Sequence, residues 1–381
     1  MRRTRLFGMG CALLGVCVAG IGDADAQLPP VPAGATAVAQ GLFGPRGLKF
    51  GPDGNLYVAL SGPGGTNSTA EVCPQLQVAT QVGGPYTNGN TASIVKVDKH
   101  GSVSTVATGF PSALSQRPDV LGVADVAFLD GDLYAVVSGG GCSHGSSIPN
   151  MVAKVDAKNG HWKMVANMSA AVAAHPSAVM APDFEADGVF YSLIAWQNKL
   201  YTVEANHGQI WSVTKQGDVQ MVTDISKEEG HVVPTAAVAN DGLLGGLTVG
   251  NLGLFPIAPD SSILMTLQAS PAEELIDWLN PRAPDALHIT GTVSQGLTTV
   301  VAMDRGPDGA LYVLELSAAA GFPTPGAGKV VRVHGQGMAE DVITGLSVPT
   351  GMTFGPDGAL YVSNWGAADA PIGQILRFNV N

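Results

Sequence analysis

Charged residues are scarce in this sequence. Asp, Glu, Lys and Arg make up 13% of the 381 residues, about half the ~25% of an average globular protein. Acidic residues outnumber basic ones, 31 to 19, and give a formal net charge of -12. The chain therefore lacks the basic surface that nucleic-acid binding requires. Hydrophobic residues still form 45% of the chain, which excludes an intrinsically disordered protein.

Long hydrophobic runs are confined to the amino terminus. An apolar segment, residues 6–20, follows a basic segment, residues 2–5, and ends before Ala24-Asp25-Ala26. A run of this length is too short to span a bilayer, and the three parts in this order are typical of a cleavable signal peptide. We therefore expect residues 1–26 to be a signal peptide and residues 27–381 to form a single periplasmic or secreted domain with no membrane span.

Glycine and proline are the residue types in excess. The chain has 50 glycines and 25 prolines, which argues against a helical bundle and for a turn-rich β protein. Its organising feature is an internal repeat built on the element Gly-Pro-Asp-Gly-x-Leu-Tyr-Val. Full copies occupy residues 51–58, 306–313 and 355–362, weaker copies lie at 130–134 and 197–201, and a degenerate copy lies at 241–249.

Each copy of the repeat predicts four strands. A short apolar strand precedes the Asp-Gly pair, whose glycine tolerates the positive φ of a tight turn, and Leu-Tyr-Val returns as a second strand. A second hairpin follows. Four strands repeated six times predict an all-β fold, a six-bladed β-propeller; a β-sandwich, the alternative, has no reason to repeat one turn six times. The last copy lacks its fourth strand, so we expect residues 35–41 to complete that blade and close the ring.

Three insertions interrupt the repeats, at residues 61–91 in blade 1, at 138–149 in blade 2 and at 269–286 in blade 4. The third contains a possible short helix at 272–279. The two cysteines beyond the signal peptide, Cys73 and Cys142, lie in the first two insertions. These loops belong to adjacent blades and share one face, so a disulfide is geometrically sensible in an oxidising compartment. Two unpaired thiols are the alternative.

Several segments outside the common element resemble the ScyD/ScyE family, which is named for proteins encoded with scytonemin-pigment biosynthesis. The resemblance covers nearly all of the mature chain and implies a secreted, NHL-like six-bladed propeller, possible service to secondary-metabolite biosynthesis, and no settled active site. The matching segments are Gly44-Pro45-Arg46-Gly47, Val233-Pro234-Thr235, the Leu-Phe-Pro run within residues 250–256, residues 311–315, and Val348-Pro349-Thr350-Gly351.

Polar residues recur where the second strand of each blade ends. Four residues past the repeat leucine, four consecutive blades place a carboxylate or an amide, whereas blades 1 and 2 have Leu60 and Val137. A ring of oxygen ligands at the propeller mouth would suit a hard cation such as Ca²⁺. Alternatively, these side chains cap turns or bind neighbouring backbone amides. The four polar positions are Glu204, Asn251, Glu315 and Asn364.

The first residues of the inner strands lie on the same face as those strand ends. Arg46 is the only cation among them, and it is able to hold an anionic ligand group in bidentate fashion; an ion pair with an acidic neighbour is the alternative. Long loops at this face favour a binding mouth. The ligand-binding candidates at the strand starts are Arg46, Asp125, Tyr191, Thr235 and Thr350.

Four histidines fall in loops assigned to the mouth face: His144, His175, His207 and His231. With Glu204 they are suited to a transition metal, or one of them to general-base chemistry, and we include His207 among the ligand-binding candidates. None has tight metal-binding spacing, so separate surface histidines are the alternative.

No motif in the sequence specifies a reaction. The favoured hypothesis is a monomeric binding scaffold that takes a small-molecule or protein ligand at a mouth built by the loops at 61–91 and 138–149. The alternatives are a metal-dependent hydrolase of lactonase type that uses the strand-end residues, and a quinone-dependent sugar dehydrogenase, which this architecture also hosts.

Overall fold

The protein is a closed ring of six antiparallel sheets, the predicted all-β six-bladed propeller. The innermost strands of adjacent sheets pack side by side all the way round the central axis, so the sequence-based fold prediction is confirmed. The structure, a computed structural model, describes residues 28–70, 84–115, 120–181, 183–240, 245–270, 286–334 and 338–380.

Blades 1 to 3 occupy the first half of the ring, and two short helices follow blades 2 and 3. From the axis outward, blade 1 contains β2 (Pro45–Phe50), β3 (Leu56–Leu60), β5 (Tyr86–Val97), β6 (Val103–Ser115) and β7 (Val120–Leu121), with β4 (Asn67–Ser68) paired to β5; blade 2 contains β8 (Val123–Leu129), β9 (Asp132–Val137), β10 (Met151–Val155) and β11 (Trp162–Asn167); blade 3 contains β12 (Phe190–Trp196), β13 (Lys199–Glu204), β14 (Gln209–Val213) and β15 (Val219–Asp224); the helices are α1 (Met168–Ala174) and α2 (Ser226–Glu229), and a 3₁₀ helix spans Cys142–His144.

Blades 4 to 6 complete the ring with the same strand order. Blade 4 contains β16 (Pro234–Ala239), β17 (Leu247–Asn251), β18 (Ser262–Gln268) and β19 (His288–Leu297); blade 5 contains β20 (Val300–Arg305), β21 (Leu311–Glu315), β22 (Gly328–His334) and β23 (Met338–Leu346); blade 6 contains β24 (Gly351–Phe354), β25 (Leu360–Asn364), β26 (Gly373–Phe378) and, outermost, β1 (Ala35–Leu42).

The amino-terminal strand closes the ring, as the sequence predicted. β1 pairs antiparallel with β26, from Ala35 opposite Phe378 to Leu42 opposite Gly373. The first and last strands of the domain therefore share one sheet, and their pairing covers an edge that an open array would expose.

The repeated Asp and Tyr have a common structural role in the three full copies. In blade 1 the amide of Gly54, at φ 75°, donates to Gly51 O, and the Asp53 carboxylate accepts from the Tyr57 hydroxyl at 3.0 Å. Asp308 and Asp357 accept from the tyrosine four residues later in the same way. Blade 3 makes its turn without glycine, because Gln197 and Asn198 themselves adopt positive φ angles of 46° and 61°.

Apolar side chains between adjacent blades form the core. Between blades 1 and 2, for example, Phe110 stacks on Trp162 with ring centroids 4.7 Å apart. This packing fixes the inner strands around the axis, and so fixes the positions of the side chains at their ends.

The insertions predicted from the repeat spacing are described only in part. In blade 1 the third strand begins at Tyr86, so the structure assigns the end of the predicted 61–91 loop to a strand. Cys73 and the possible helix at 272–279 lie outside the described residues, and the Cys73–Cys142 disulfide stays a prediction. Among the described residues, no helix has the length and apolar character needed to cross a membrane.

Candidate functional site

A cavity of about 560 Å³ opens at the face where the inner strands begin. We call it the mouth cavity. Much of its wall comes from the loops of blades 4 and 5 and from the connection that leads from α1 into blade 3. Its lining residues include Arg46, Asp183, Glu185, Val189, Tyr191, Asn206, His231, Leu252, Leu254, Phe255, Leu316 and Phe322.

Two loops are joined to form one rim of the mouth cavity. The backbones of Ile257 in blade 4 and Gly321 in blade 5 exchange hydrogen bonds of 2.6 and 3.0 Å. Close to this bridge, the rings of Phe255 and Phe322 lie parallel with centroids 6.2 Å apart. Phe322 is 47% exposed and Leu254 is 52% exposed, so the rim presents apolar surface beside an apolar wall.

Arg46 supplies a permanent positive charge to the mouth cavity. The residue is only 5% exposed, and its guanidinium carbon lies 4.8 Å from the centroid of the Tyr191 ring, a cation–π contact. No carboxylate among the described residues forms an ion pair with it. Within the described part of the chain, the charge therefore contacts an aromatic face and no acid.

Glu185 belongs to a buried polar cluster behind the cavity wall. Its Oε1 accepts from the Tyr86 hydroxyl at 2.7 Å, and its Oε2 lies 2.6 Å from His144 Nε2. The other ring nitrogen, Nδ1, lies 2.5 Å from Gly140 O. Burial disfavours a charged imidazole, but the Glu185 carboxylate outweighs it, so the pKa of His144 is raised above its ordinary value of 6.5.

Asp183 lies two residues before Glu185 and faces a second histidine. Its Oδ1 is 3.1 Å from His231 Nε2. Burial would raise the pKa of Asp183, but the interaction with His231 holds it below its ordinary value. Asn206 fixes this stretch of backbone, because its Oδ1 accepts from the Glu185 amide at 2.7 Å and its Nδ2 donates to Asp183 O at 2.8 Å.

The five strand-start candidates fall into two groups. Arg46 and Tyr191 line the mouth cavity and touch each other. The other three connect neighbouring inner strands: Asp125 Oδ2 accepts from Leu193 N at 2.8 Å, Thr235 Oγ1 donates to Val300 O at 2.5 Å, and Thr350 Oγ1 donates to Pro45 O at 2.6 Å.

Asp125 is the titratable member of the connecting group. Burial raises its pKa to about 6, against the opposing effects of the Leu193 amide and the Lys49 charge. It lies on an inner strand and does not line the mouth cavity.

The four strand-end residues lie at equivalent places, as the repeat implied, and all are buried. Their polar atoms reach backbone and side-chain partners. Glu204 accepts from the amides of Val189, Asn206 and His207 at 2.7–3.0 Å. Asn251 donates to Val232 O and accepts from Ile263 N, and Asn364 accepts from Ser347 N and binds Gln374.

Glu315 differs from the other three strand-end residues. Burial raises its pKa to about 7, its Oε2 has no hydrogen-bond partner, and Lys329 Nζ lies 3.8 Å away. None of the four lines the mouth cavity, and the described residues contain no cluster of three or more His, Cys, Asp or Glu suited to a metal. The Ca²⁺ assignment therefore stays a prediction.

The four histidines predicted at the mouth occupy different environments. His231 lines the cavity, and His144 stands behind Glu185. His207 is buried, stacks on Phe184 at 4.6 Å and bonds through Nε2 to Glu185 O at 2.8 Å. His175 packs edge-on against Trp211. His175 is exposed, as the alternative expected, whereas the other three are buried or half-buried, and of the four only His231 borders the cavity directly.

Sequence reasoning missed the acidic side of the mouth cavity. Asp183 and Glu185 lie between blades, outside every copy of the repeat, so no periodicity marked them. A short acidic stretch between apolar residues was the only signal. The loops at 61–91 and 138–149 were expected to build the mouth, but none of their described residues lines the cavity; the second loop contributes His144 behind the wall.

The fold is similar to solved propeller structures at low sequence identity. A PQQ-bound aldose sugar dehydrogenase from Streptomyces coelicolor has TM-score 0.55 and 14% identity, covering 92% of this chain and 99% of that chain. A glucose dehydrogenase-type oxidoreductase from Thermus thermophilus has TM-score 0.52 and 16% identity, covering 90% and 98%. A candidate gluconolactonase has TM-score 0.52 and 10% identity, covering 93% and 95%.

These similarities show the fold alone. No family model and no curated protein matches the chain in sequence. Evidence on function therefore comes from the residues of the mouth cavity.

Proposed function

We propose that this propeller is a binding protein whose mouth cavity takes a small molecule with an apolar body and one anionic group. The observation that carries the proposal is Arg46, a guanidinium at the cavity wall that is 5% exposed and has no carboxylate partner among the described residues. The sequence left two roles open for Arg46, which were to hold an anionic ligand group or to pair with an acidic neighbour.

The physical reason is the cost of burying a charge. A guanidinium largely withdrawn from water is stabilised when an anion meets it, and its planar fork matches a carboxylate or sulfonate. The Tyr191 ring holds the guanidinium carbon 4.8 Å from its centroid, and a contact to the ring face does not use the N–H groups that lie in the guanidinium plane. Leu252, Phe255, Leu316 and Phe322 supply apolar surface for the rest of the ligand.

The proposal includes the setting expected from the sequence. We infer an exported monomer of ScyD/ScyE type, supported by the basic and apolar segments before residue 27 and by the Leu-Phe-Pro run, which contributes Phe255 to the cavity. The mass and amino-terminal sequence of protein recovered from the periplasm and the medium would test cleavage after Ala26 and export.

The two enzyme alternatives receive less support from the residues present. A quinone cofactor such as PQQ carries three carboxylates, whereas the described wall has one permanent cation, Arg46, and the acids Asp183 and Glu185. This set does not fit that cofactor. Of the strand-end residues proposed for a lactonase metal, Glu204, Asn251 and Asn364 accept from backbone amides, whereas Glu315 Oε2 has no hydrogen-bond partner.

The test uses two fluorescent probes of similar shape. One, 8-anilinonaphthalene-1-sulfonate, carries an anion; the other, N-phenyl-1-naphthylamine, is neutral. Arg46→Met is expected to weaken binding of the sulfonate at least tenfold, because a charge-assisted hydrogen bond is worth about 1.5–3 kcal/mol. Affinity for the neutral probe should change less than about threefold. Fluorescence titration of the folded variants measures both.

Arg46→Lys and Lys99→Met serve as controls. The lysine variant keeps the charge but loses the fork, so its sulfonate affinity should fall between wild type and Arg46→Met. Lys99 lies in a turn outside the mouth cavity and its replacement should leave both affinities unchanged. Equal sulfonate affinity in wild type and Arg46→Met would overturn the proposal.

A further inference from the structure

Glu185 lines the mouth cavity, and its carboxyl group offers hydrogen-bond acceptors and no free donor. Two buried neighbours of Glu185 leave its carboxyl group with acceptors only. Tyr86 donates its hydroxyl proton to Oε1 and His144 contacts Oε2. Tyr86 and His144 are both 0% exposed, so neither can turn toward solvent for a different partner.

The Glu185 carboxyl group has no free donor whether His144 or Glu185 carries the proton between them. His144 Nδ1 must carry a proton, because its neighbour at 2.5 Å is the carbonyl oxygen of Gly140. A second proton lies between His144 Nε2 and Glu185 Oε2, which are 2.6 Å apart. Whether it belongs to the imidazole or to the carboxyl group, it points along that contact. The remaining lone pairs of Glu185 can only accept.

The neighbouring amide, Asn206, already bonds the backbone at Asp183 and at Glu185. Asn206 lines the cavity, but its oxygen accepts from the Glu185 amide and its nitrogen donates to Asp183 O. Asn206 therefore holds Glu185 in position, with one of its two N–H groups already used by Asp183 O. Glu185 itself is 6% exposed, and a lone pair left unmatched in such a site is costly when a ligand displaces water.

We propose that Glu185 is a specificity-determining residue, and that the ligand of the mouth cavity carries an O–H or N–H donor in addition to its anionic group. The anionic group lies at Arg46 and the donor at Glu185, with the apolar body between them. This inference rests on the proposed function and narrows it to molecules of the hydroxy-acid or amino-acid type built on an apolar frame. An acid with no O–H or N–H donor on its apolar frame would contact Arg46 and leave Glu185 without a hydrogen-bond donor.

The test uses rigid acids with and without a hydroxyl group. Three matched pairs present increasing distances between the two ends: 4-hydroxybenzoate and benzoate, 6-hydroxy-2-naphthoate and 2-naphthoate, and 4′-hydroxybiphenyl-4-carboxylate and biphenyl-4-carboxylate. Isothermal titration calorimetry gives each dissociation constant. In at least one pair the hydroxy acid is expected to bind wild type about tenfold more tightly than its partner.

Glu185→Gln should reduce that preference to less than about threefold. Because the variant also removes an acid near the anion, the test compares the ratio of the two dissociation constants within each pair, and thermal unfolding reports whether the variant is folded. A second check needs no variant: 6-methoxy-2-naphthoate accepts but cannot donate a hydrogen bond, so it should bind wild type no more tightly than 2-naphthoate.

Three results would overturn the inference. The first is equal affinity within all three pairs, with the hydroxyl-free acids still dependent on Arg46; the proposed function then stands and only the donor is rejected. The second is a preference that persists in Glu185→Gln, since another group would then contact the hydroxyl. The third is the absence of any Arg46-dependent binding, which rejects the proposed function together with this inference.

Discussion

His144 Nε2 lies 2.6 Å from Glu185 Oε2, although 41 positions separate the two residues in the chain. The contact joins the 3₁₀ helix within blade 2 to the connection that enters blade 3. It therefore links two segments that the sheets leave independent, and it positions a carboxyl group at the wall of the mouth cavity.

This pair makes stability depend on pH. Glu185, assisted by Asp187, raises the folded-state pKa of His144 above its ordinary value of 6.5, against the effect of burial. The stabilisation is therefore complete below pH ~6.5 and is lost as the pH rises through the folded-state pKa.

We predict that His144→Gln lowers the free energy of unfolding by about 3 kcal/mol at pH 6, where it breaks a buried charged pair, and by less at pH 9. Urea unfolding at the two pH values measures the difference. His334, exposed and paired with Glu340, gives the control: His334→Gln should change little at either pH. A loss for His144→Gln that is the same at both pH values would contradict the ion-pair account.

Glu204 tests whether the strand-end residues bind metal or backbone. Glu204→Gln places an amide N–H₂ among three backbone N–H donors, so we expect a loss of about 1–3 kcal/mol. Thermal unfolding should show this loss equally in EDTA and in CaCl₂. If Ca²⁺ instead raises the melting temperature of wild type and not of the variant, the cation-ring prediction is correct.

Close packing of the inner strands predicts a contrast between two glycines. A Cβ atom on Gly366 would lie 1.7 Å from Thr350 Oγ1 and 2.3 Å from Pro45 O, whereas one on Gly291 would meet nothing within 4 Å. Gly366→Ala should therefore destabilise the protein by about 3 kcal/mol, the upper end of the usual range for overpacking, and Gly291→Ala should not. Similar melting temperatures for both variants would show that blades 6 and 1 do not pack as described.

The aromatic rim predicts an effect without charge selectivity. Phe322→Ala removes one ring of the Phe255–Phe322 pair and should weaken the anionic and the neutral fluorescent probes by the same factor, about three- to tenfold. Met338→Ala, a change at another exposed apolar side chain outside the mouth cavity, should affect neither. An effect of Phe322→Ala on one probe only would place the apolar body of the ligand elsewhere.

The fold was predictable because its determinants are local and repeated. Asp53 and Tyr57 lie four residues apart, and the same pair recurs in blades 5 and 6, so the turn and its returning strand are visible in the sequence. The last repeat has only three strands in the sequence, so the amino-terminal strand could be predicted to supply the fourth and close the ring. In blade 3 the repeat persisted with Gln197 and Asn198 at the turn, where the backbone conformation compensates for the missing glycine.

The site was less predictable because its contacts are long-range. The sequence shows that Glu204 and Asn251 occupy equivalent positions, but not that backbone groups take up their oxygens. Arg46 was recognised as a lone cation, while its Tyr191 partner is two blades away. Glu185 lies in a connection with no repeat, and its role depends on Tyr86, 99 positions earlier.

The most direct test of the central claim is a crystal structure of the protein with 6-bromo-2-naphthoate, in which anomalous scattering from bromine locates the ligand. We predict bromine inside the mouth cavity and the carboxylate within hydrogen-bond distance of the Arg46 guanidinium. A ligand bound outside the cavity, or inside it with the carboxylate turned away from Arg46, would contradict the proposed function.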